Sequence, residues 1–361
     1  MLLRERTVNY MKIMKAICLA LASLLLLAPL TACNVDEPTD TTADGTDEPE
    51  TAVADTTDAD TTEPETTEPE TSSEPEPELE PADELKESKI KIHFPMSLWP
   101  EKNIPYDIKG ASVTATISAY IVDGSDSAVI IFPGGGYFQL SVDSEGTKVA
   151  EAYNKAGISA FVVTYRYKSK TDTVSAYDGR ATLADGQRAV QFVRYYSDVF
   201  GIDKNKIAVC GFSAGGHLAM LTCQHEPETN LVNDVIGAES SKPNACILAY
   251  AVTTLGDGTY STMPPNFLGS NATNSAEIAK YSYGYNIEAM PDTFIFYSVL
   301  DTTVNPQKNS EAIAKALRDA GKNVVLKAYS DGGHGSGLGT KYANFSKWHG
   351  ESVEFLKGLG F

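Results

Sequence analysis

The sequence predicts an α/β fold, a mostly parallel central sheet with helices on both faces and no large cap domain. Three observations predict it. From about residue 113 onward, short apolar runs alternate with longer amphipathic segments, the order that parallel strands joined by crossover helices require. Most of those runs are continuously apolar, as expected of strands covered on both faces. They lie in residues 89–361, a stretch of near-neutral composition long enough to bury a large core.

The elements follow in order. Thr114, Thr116, Ser118 and Tyr120 alternate with Val113, Ala115, Ile117, Ala119 and Ile121, a period of two that marks a half-exposed strand over 113–121. Continuous apolar strands are expected at 128–132, 159–165, 206–210, 245–251, 293–300 and 324–329. Helical periodicity predicts helices over 144–156, 181–199, 215–223, 310–320 and 344–359, and Gly157, Gly201 and Gly321 stand at the C-caps of three of them. Residues 253–290, rich in Gly, Asn, Ser and Tyr, are expected to form a rim over the C-terminal edge of the sheet, where ligands bind in such folds.

Composition changes abruptly ahead of this body. The chain of 361 residues carries a net charge of −19, yet residues 34–88 hold 21 acidic residues against one Lys, so the charge belongs to that tract and not to the body. Thr-Thr-Glu-Pro-Glu repeats at 61–65 and 66–70, with almost no large apolar side chains, predict a disordered, extended tether. Lys12 and Lys15 precede the apolar run 16–27, too short to span a bilayer and flanked as an export signal is. Leu30-Thr31-Ala32-Cys33 resembles the lipobox of bacterial lipoproteins, which implies lipidation at Cys33 and a cell-surface or membrane-anchored location. The domain reading is therefore 1–33 signal, 34–88 tether and 89–361 globular body, with translation starting at Met1, Met11 or Met14. Cys210, Cys223 and Cys246 remain in the body, an odd number that argues against a disulfide framework and for buried free thiols. No Cys or His pair has metal-ligand spacing. Neither a metal, a cofactor nor a nucleic-acid partner is expected.

Chemistry concentrates at Gly211-Phe212-Ser213-Ala214-Gly215, which follows an apolar strand and opens a helix, the setting a nucleophile elbow requires. A hydroxyl there meets the N–H groups and dipole of a helix N-terminus, which favour developing negative charge. A tetrahedral oxyanion needs preorganised donors. The N–H of Ala214 is one candidate, and Gly135 and Gly136, in the Gly-rich loop after strand 128–132, are the others. Of five His, His334 stands in Ser330-Asp331-Gly332-Gly333-His334-Gly335 after the last strand and is the expected base, with His349 second; His217 reads as a packed helix residue. Asp301 ends the penultimate strand and completes the chain order Ser, Asp, His, whereas Asp331 reads as a turn-former.

With these residues the body resembles the carbohydrate esterases of the α/β-hydrolase fold, the bacterial acetyl xylan and feruloyl esterases related to hormone-sensitive-lipase-like enzymes. The likeness runs through Leu98-Trp99-Pro100, Pro133-Gly134-Gly135-Gly136-Tyr137, Thr164-Tyr165-Arg166, Asp185-Gly186-Gln187-Arg188-Ala189-Val190, the elbow through Leu218, Tyr281-Ser282, Asp301 and Gly333-His334-Gly335. It implies Ser213, Asp301 and His334 as a triad and the Gly135 region with Ala214 as the oxyanion hole. Lipase-like esterases carry His-Gly-Gly-Gly, and Pro133 stands where that His would be. The expected activity is removal of short acyl groups, acetyl above all, from plant-wall carbohydrate. The expected partners are an acylated oligosaccharide or small ester and, through the anchor, the membrane. Feruloyl esters, and general esterase, lipase or peptidase chemistry, are the alternatives. Residues ahead of 89 could not form the β-propeller of prolyl-oligopeptidase-like peptidases, and a non-catalytic binding protein would more naturally lack a triad member. Tyr137 and Trp99, with the rim residues Tyr260, Tyr281, Tyr283 and Tyr285, are expected near the substrate because aromatic faces beside hydrogen-bonding groups suit sugar rings.

Overall fold

A computed structural model describes residues 90–92, 95–101, 103–106, 113–168, 179–228 and 231–361. The signal peptide, Cys33 and the acidic tether lie outside the described residues. Nine strands form one sheet: β1 (Ile90–Ile92), β2 (Met96–Ser97), β3 (Thr116–Val122), β4 (Ala128–Phe132), β5 (Ser159–Thr164), β6 (Ile207–Phe212), β7 (Ala245–Ala249), β8 (Asp292–Ser298) and β9 (Val324–Tyr329). Their spatial order is β1-β3-β5-β4-β6-β7-β8-β9, with β2 also on β3. β4 to β9 pair parallel, and β3 pairs antiparallel with β1, β2 and β5. The helices are α1 (Lys148–Lys155), α2 (Arg180–Tyr195), α3 (Ser197–Phe200), α4 (Ala214–Gln224), α5 (Met263–Leu268), α6 (Ser275–Lys280), α7 (Ser310–Asp319) and α8 (Trp348–Gly358). Among the described residues no helix is long and apolar enough to cross a membrane.

The continuous apolar strands have the cause expected of them. Successive side chains of a strand point to opposite faces, and in β4 Ile130 and Phe132 enter one core while Val129 and Ile131 enter the other. The first core takes Val190 of α2, Leu218 of α4 and Leu317 of α7; the second takes Tyr153 of α1 and Trp348 and Leu356 of α8. Helices therefore cover both faces, and each fully buried Ile or Phe contributes about 1.5–3 kcal/mol of apolar burial.

β9 departs from the expectation of a strand covered on both faces. It is the last strand in the sheet order, and most of its side chains are half-buried. β1 and β2, three and two residues long, were not anticipated, since so short a run shows no period. The rim over 253–290 holds α5, α6 and two short 3₁₀ turns, and no cap domain. The loops that follow β4, β6, β8 and β9 all leave the same C-terminal edge of the parallel strands. They carry the glycine run, Ser213, Asp301 and His334, respectively.

Candidate active site

Ser213 stands between β6 and α4 with φ +52° and ψ −116°, a conformation that costs a non-glycine residue about 1–3 kcal/mol. Its neighbours hold it there. Ser213 N–H donates to Ala249 O, its own carbonyl accepts from Val252 N–H and His217 N–H, and α4 begins at the next residue. The flanking glycines follow from crowding. A Cβ on Gly211 would stand 2.1 Å from Gly215 O, and one on Gly215 would stand 2.1 Å from Phe132 O, both backbone atoms that cannot swing aside. The turn is thus as sharp as it is because two residues in it have no side chain.

Three loops converge on the Ser213 hydroxyl. Ser213 Oγ lies 2.8 Å from His334 Nε2, and His334 Nδ1 lies 2.8 Å from Asp301 Oδ2. Asp301 Oδ1 accepts the N–H groups of Thr303 and Val304, each at 2.9 Å, so both carboxylate oxygens are engaged and the side chain is only 1% exposed. A carboxylate accepts, so Nδ1 carries the imidazole proton and Nε2 is left as the acceptor for the Ser213 hydroxyl. His334 keeps 17% of its side chain exposed, open enough to exchange a proton with a bound molecule. The arrangement can pass the Ser213 proton to His334 while Asp301 holds the ring and stabilises its charged form.

The glycine loop after β4 runs beside the nucleophile. Gly135 and Gly136 have φ of +137° and +64°, where a side chain is strained, and a Cβ on Gly136 would collide with the Tyr260 hydroxyl. Tyr165 Oη donates to Pro133 O at 2.6 Å, and Asn266 Nδ2 donates to Gly136 O at 2.8 Å, fixing the loop from below and from the rim. The Ala214 N–H belongs to the first turn of α4, where no intrahelical partner exists. These donors and Ser213 share one edge of the sheet, as the sequence placed them.

Two expectations need correction. Trp99 and Tyr137, expected beside the substrate, are instead buried among polar partners. Trp99 is 6% exposed, donates its indole N–H to Asp185 Oδ1 at 2.6 Å and lies under the Arg188 guanidinium at 4.9 Å. Asp185 also forms a buried ion pair with Arg166, so Trp99 belongs to a polar network under the sheet. Tyr137 is fully buried at φ +58°, its hydroxyl 2.9 Å from His217 Nδ1. His217 Nε2 lies 2.7 Å from the Tyr281 carbonyl, which only accepts, so Nε2 carries the proton and Nδ1 accepts from Tyr137. Burial pushes His217 down to about 4 and keeps it neutral. A neutral imidazole on α4 thereby pins the glycine loop to the rim. Of the rim tyrosines, Tyr281 is buried, Tyr283 packs half-buried against the core and Tyr285 stacks on His225 at 4.5 Å between ring centres, whereas Tyr260 stands beside Gly136.

The remaining candidates fall elsewhere. His349 lies on α8 with its ring 4.7 Å from Tyr153, in the core opposite α2 and α4, and burial lowers it to about 4. Asp331 accepts the N–H groups of Asn344 and Phe345 at 2.9 and 2.7 Å and turns the chain toward α8. Cys210, Cys223 and Cys246 are buried free thiols. Two residues near the triad escaped the sequence reading. Glu145 looked like one more acid at a helix start and Tyr250 like the end of a strand; neither stands in a motif, and folding alone brings them beneath the site.

Known proteins agree with this architecture. A 261-residue stretch is 29% identical to endo-1,4-β-xylanase B of Butyrivibrio fibrisolvens, covering 71% of this chain and 40% of that protein. An acetylxylan esterase of Xylanibacter ruminicola is 29% identical over 236 residues, 64% of this chain and 45% of that one. The chain thus spans less than half the length of these curated relatives. Among solved structures, an acetyl ester-xyloside bifunctional hydrolase from Caldicellulosiruptor lactoaceticus superposes with a TM-score of 0.68 at 30% identity, over 74% of this chain and 97% of that one. The apo form of Thermogutta terrifontis esterase 2 follows with a TM-score of 0.58 at 27% identity, over 70% and 93%. Residues 122–317, more than half of the sequence and spanning β4 to α7 with Ser213 and Asp301, match the model of the BD-FAE family. With its two-faced parallel sheet, its strained Ser213 elbow and these relatives, the chain belongs to the BD-FAE family and has the α/β-hydrolase fold.

Proposed function

We infer that the protein is a serine carboxylic-ester hydrolase that removes short acyl groups, acetyl first, from plant-wall carbohydrate such as xylan. The observation that carries this reading is the hydrogen-bonded line Ser213, His334, Asp301 at an elbow whose neighbouring loop is built of glycine. Ser213 Oγ attacks the ester carbonyl as its proton passes to His334 Nε2, and the new imidazolium is balanced by Asp301. Negative charge gathering on the carbonyl oxygen is met by N–H groups of Ala214 and of Gly135 or Gly136. Collapse returns the proton to the leaving sugar hydroxyl and leaves acetyl on Ser213; water, deprotonated by the same imidazole, then releases acetate and restores the serine. Support for a carbohydrate ester comes from the acetylxylan esterase and the acetyl ester-xyloside hydrolase among the relatives. Support for a short acyl group comes from the rim, where Tyr260 stands against Gly136 and, among the described residues, no cap helices enclose a tunnel.

A shallow acyl site gains little contact from each added methylene, so selectivity should not climb with chain length. Acetyl esters are expected to exceed octanoyl esters by at least about tenfold in kcat/KM, equivalent to about 1.4 kcal/mol. Acetate is expected to be released from acetylated xylo-oligosaccharides. Octanoyl preference with no acetate from acetylated xylan sinks the carbohydrate reading, and faster turnover of feruloyl-arabinose replaces acetyl by feruloyl. The same reading has the enzyme exported and held to the membrane through a lipid on Cys33, a location that rests on residues 12–33 alone.

A further inference from the structure

A second carboxylate lies directly behind the triad. Glu145 sits in the π-helical turn Asp143–Thr147 and is buried. Single turns of this kind recur at functional sites. Glu145 Oε2 accepts the N–H of Gly134 at 2.8 Å, at the start of the glycine loop. Its Oε1 accepts the hydroxyl of Tyr250 at 2.6 Å. Tyr250, itself at φ +34°, has its ring centre 5.1 Å from that of His334, and its hydroxyl accepts the N–H of Gly337 at 3.0 Å, three residues beyond His334. One side chain therefore ties the loop after β4 to the loop after β9. A Cβ on Gly134 would stand 2.7 Å from Glu145 Oε2 and 3.1 Å from Ser213 Cβ, so only the glycine separates the carboxylate from the nucleophile.

The bond directions suit an ionised Glu145. The Gly134 amide can only donate. The Tyr250 hydroxyl already accepts from Gly337, so its single proton points at Glu145. Both carboxyl oxygens then accept, which describes an ionised group. Burial holds Glu145 above the usual carboxylate range, and the Tyr250 and Gly134 hydrogen bonds and the charge of His334 oppose that rise in part. The groups facing it from the packed elements are Tyr250, His334 and, deeper in the core, Cys210; those facing His334 are Asp301, Ser213, Tyr250 and Glu145. Burial raises Tyr250 and Cys210 and keeps both neutral, which leaves Asp301 and Glu145 as the anions around the imidazole.

We propose that Glu145 is a positioning residue of this site: its buried negative charge, one phenol ring from His334, favours the imidazolium formed during acyl transfer, and its two hydrogen bonds lock the glycine loop against the His334 loop. The proposal rests on Ser213 being the nucleophile, as inferred above, and not on which ester is the natural one.

The experiment follows the rate of Ser213 labelling by a fluorophosphonate against pH in the full-length protein. Glu145→Gln keeps the shape and removes the charge. Its labelling is expected to slow by about tenfold or more, and its acid limb to move down by about half a pH unit or more, because removing a nearby anion disfavours the protonated ring. Tyr250→Phe removes the bridge and one of the two hydrogen bonds that favour the ionised carboxylate, so it slows labelling and moves the limb in the same direction as Glu145→Gln, by no more than that variant does. An acid limb in Glu145→Gln that coincides with wild type overturns the proposal. Should that variant fail to fold, Glu145→Asp decides: the charge stays and the reach shortens, so a slower rate on an unmoved limb supports the proposal and a wild-type rate overturns it. A wild type that does not label at all overturns this proposal together with the nucleophile. Labelling without acetate release from acetylated xylan instead leaves Glu145 in place and removes only the carbohydrate substrate.

Discussion

In the proposed mechanism Ser213, His334 and Asp301 act as one unit, because the proton path runs through all three. Ser213→Ala removes the nucleophile. His334→Ala removes the base. Asp301→Asn substitutes a side chain whose NH₂ can face Nδ1 and reverse the tautomer, leaving Nε2 protonated and unable to accept from Ser213. Each change is expected to lower kcat/KM for a short-chain ester by about 10³-fold or more, with losses that do not add in double variants. Circular dichroism and thermal melting should stay near wild type, since none of the three side chains fills the apolar core. His349→Ala, on α8 against Tyr153, should turn over at close to the wild-type rate; a dead His349→Ala beside a working His334→Ala reverses the assignment of the base. His334 was legible because a Gly-rich loop after a last strand can deliver an imidazole to one edge of a sheet. Trp99 and Tyr137 were misread because an aromatic in a motif looks the same whether it faces a sugar or a buried His217, and only the packed chain distinguishes the two.

Helix α4 does more than present a dipole to the elbow. Its His217 receives the Tyr137 hydroxyl and donates to the Tyr281 carbonyl, so it is buried in the neutral form and stands near 4 against about 6.5 in an unfolded chain. Above pH 6.5 both states are neutral there and the full stability is present. Between pH 6.5 and 4 the unfolded chain binds a proton that the folded chain refuses, so stability rises with pH across this window and is lost as the pH falls. A shift of this size is worth about 3 kcal/mol at the acid end. His225 and His349, also lowered to about 4 by burial, work in the same direction. The melting temperature is therefore expected to fall steeply from pH 6.5 to 4.5. His217→Gln, which melts earlier at pH 8 because its loops are less well tied, should show a shallower fall; an unchanged slope means that His217 does not carry the effect. The elements themselves were legible almost throughout. Predicted and observed limits of β4, β5, α4 and α7 differ by one residue at most at either end, since apolar runs and helical periods report burial directly. The π-helical turn at Asp143–Thr147 was not, because five residues with one extra per turn leave the helical period unchanged to the eye.

The whole chain is divided by charge into an acidic stretch and a near-neutral body, and the proposed anchor lies at the far end of that stretch from Ser213. Cys33→Ser is expected to move the protein from the membrane fraction to a soluble one with specific activity unchanged. A buried acyl chain supplies about 0.8 kcal/mol per CH₂, and an extended tether would transmit none of it to the site. An unmoved membrane fraction refutes the lipid as the anchor. The fold class, the strand and helix order, the elbow at Ser213 and the candidates His334 and Asp301 were all readable from local pattern, because burial periodicity and turn chemistry depend on near neighbours in the chain. The Asp185 network beneath Trp99, the neutral His217 clasp and the Glu145–Tyr250 bridge were not. Each contains at least one hydrogen bond between residues 80 or more positions apart, Trp99 to Asp185, Tyr137 to His217 and Glu145 to Tyr250, and which polar groups meet in a closed interior depends on how the sheet brings distant loops to one edge.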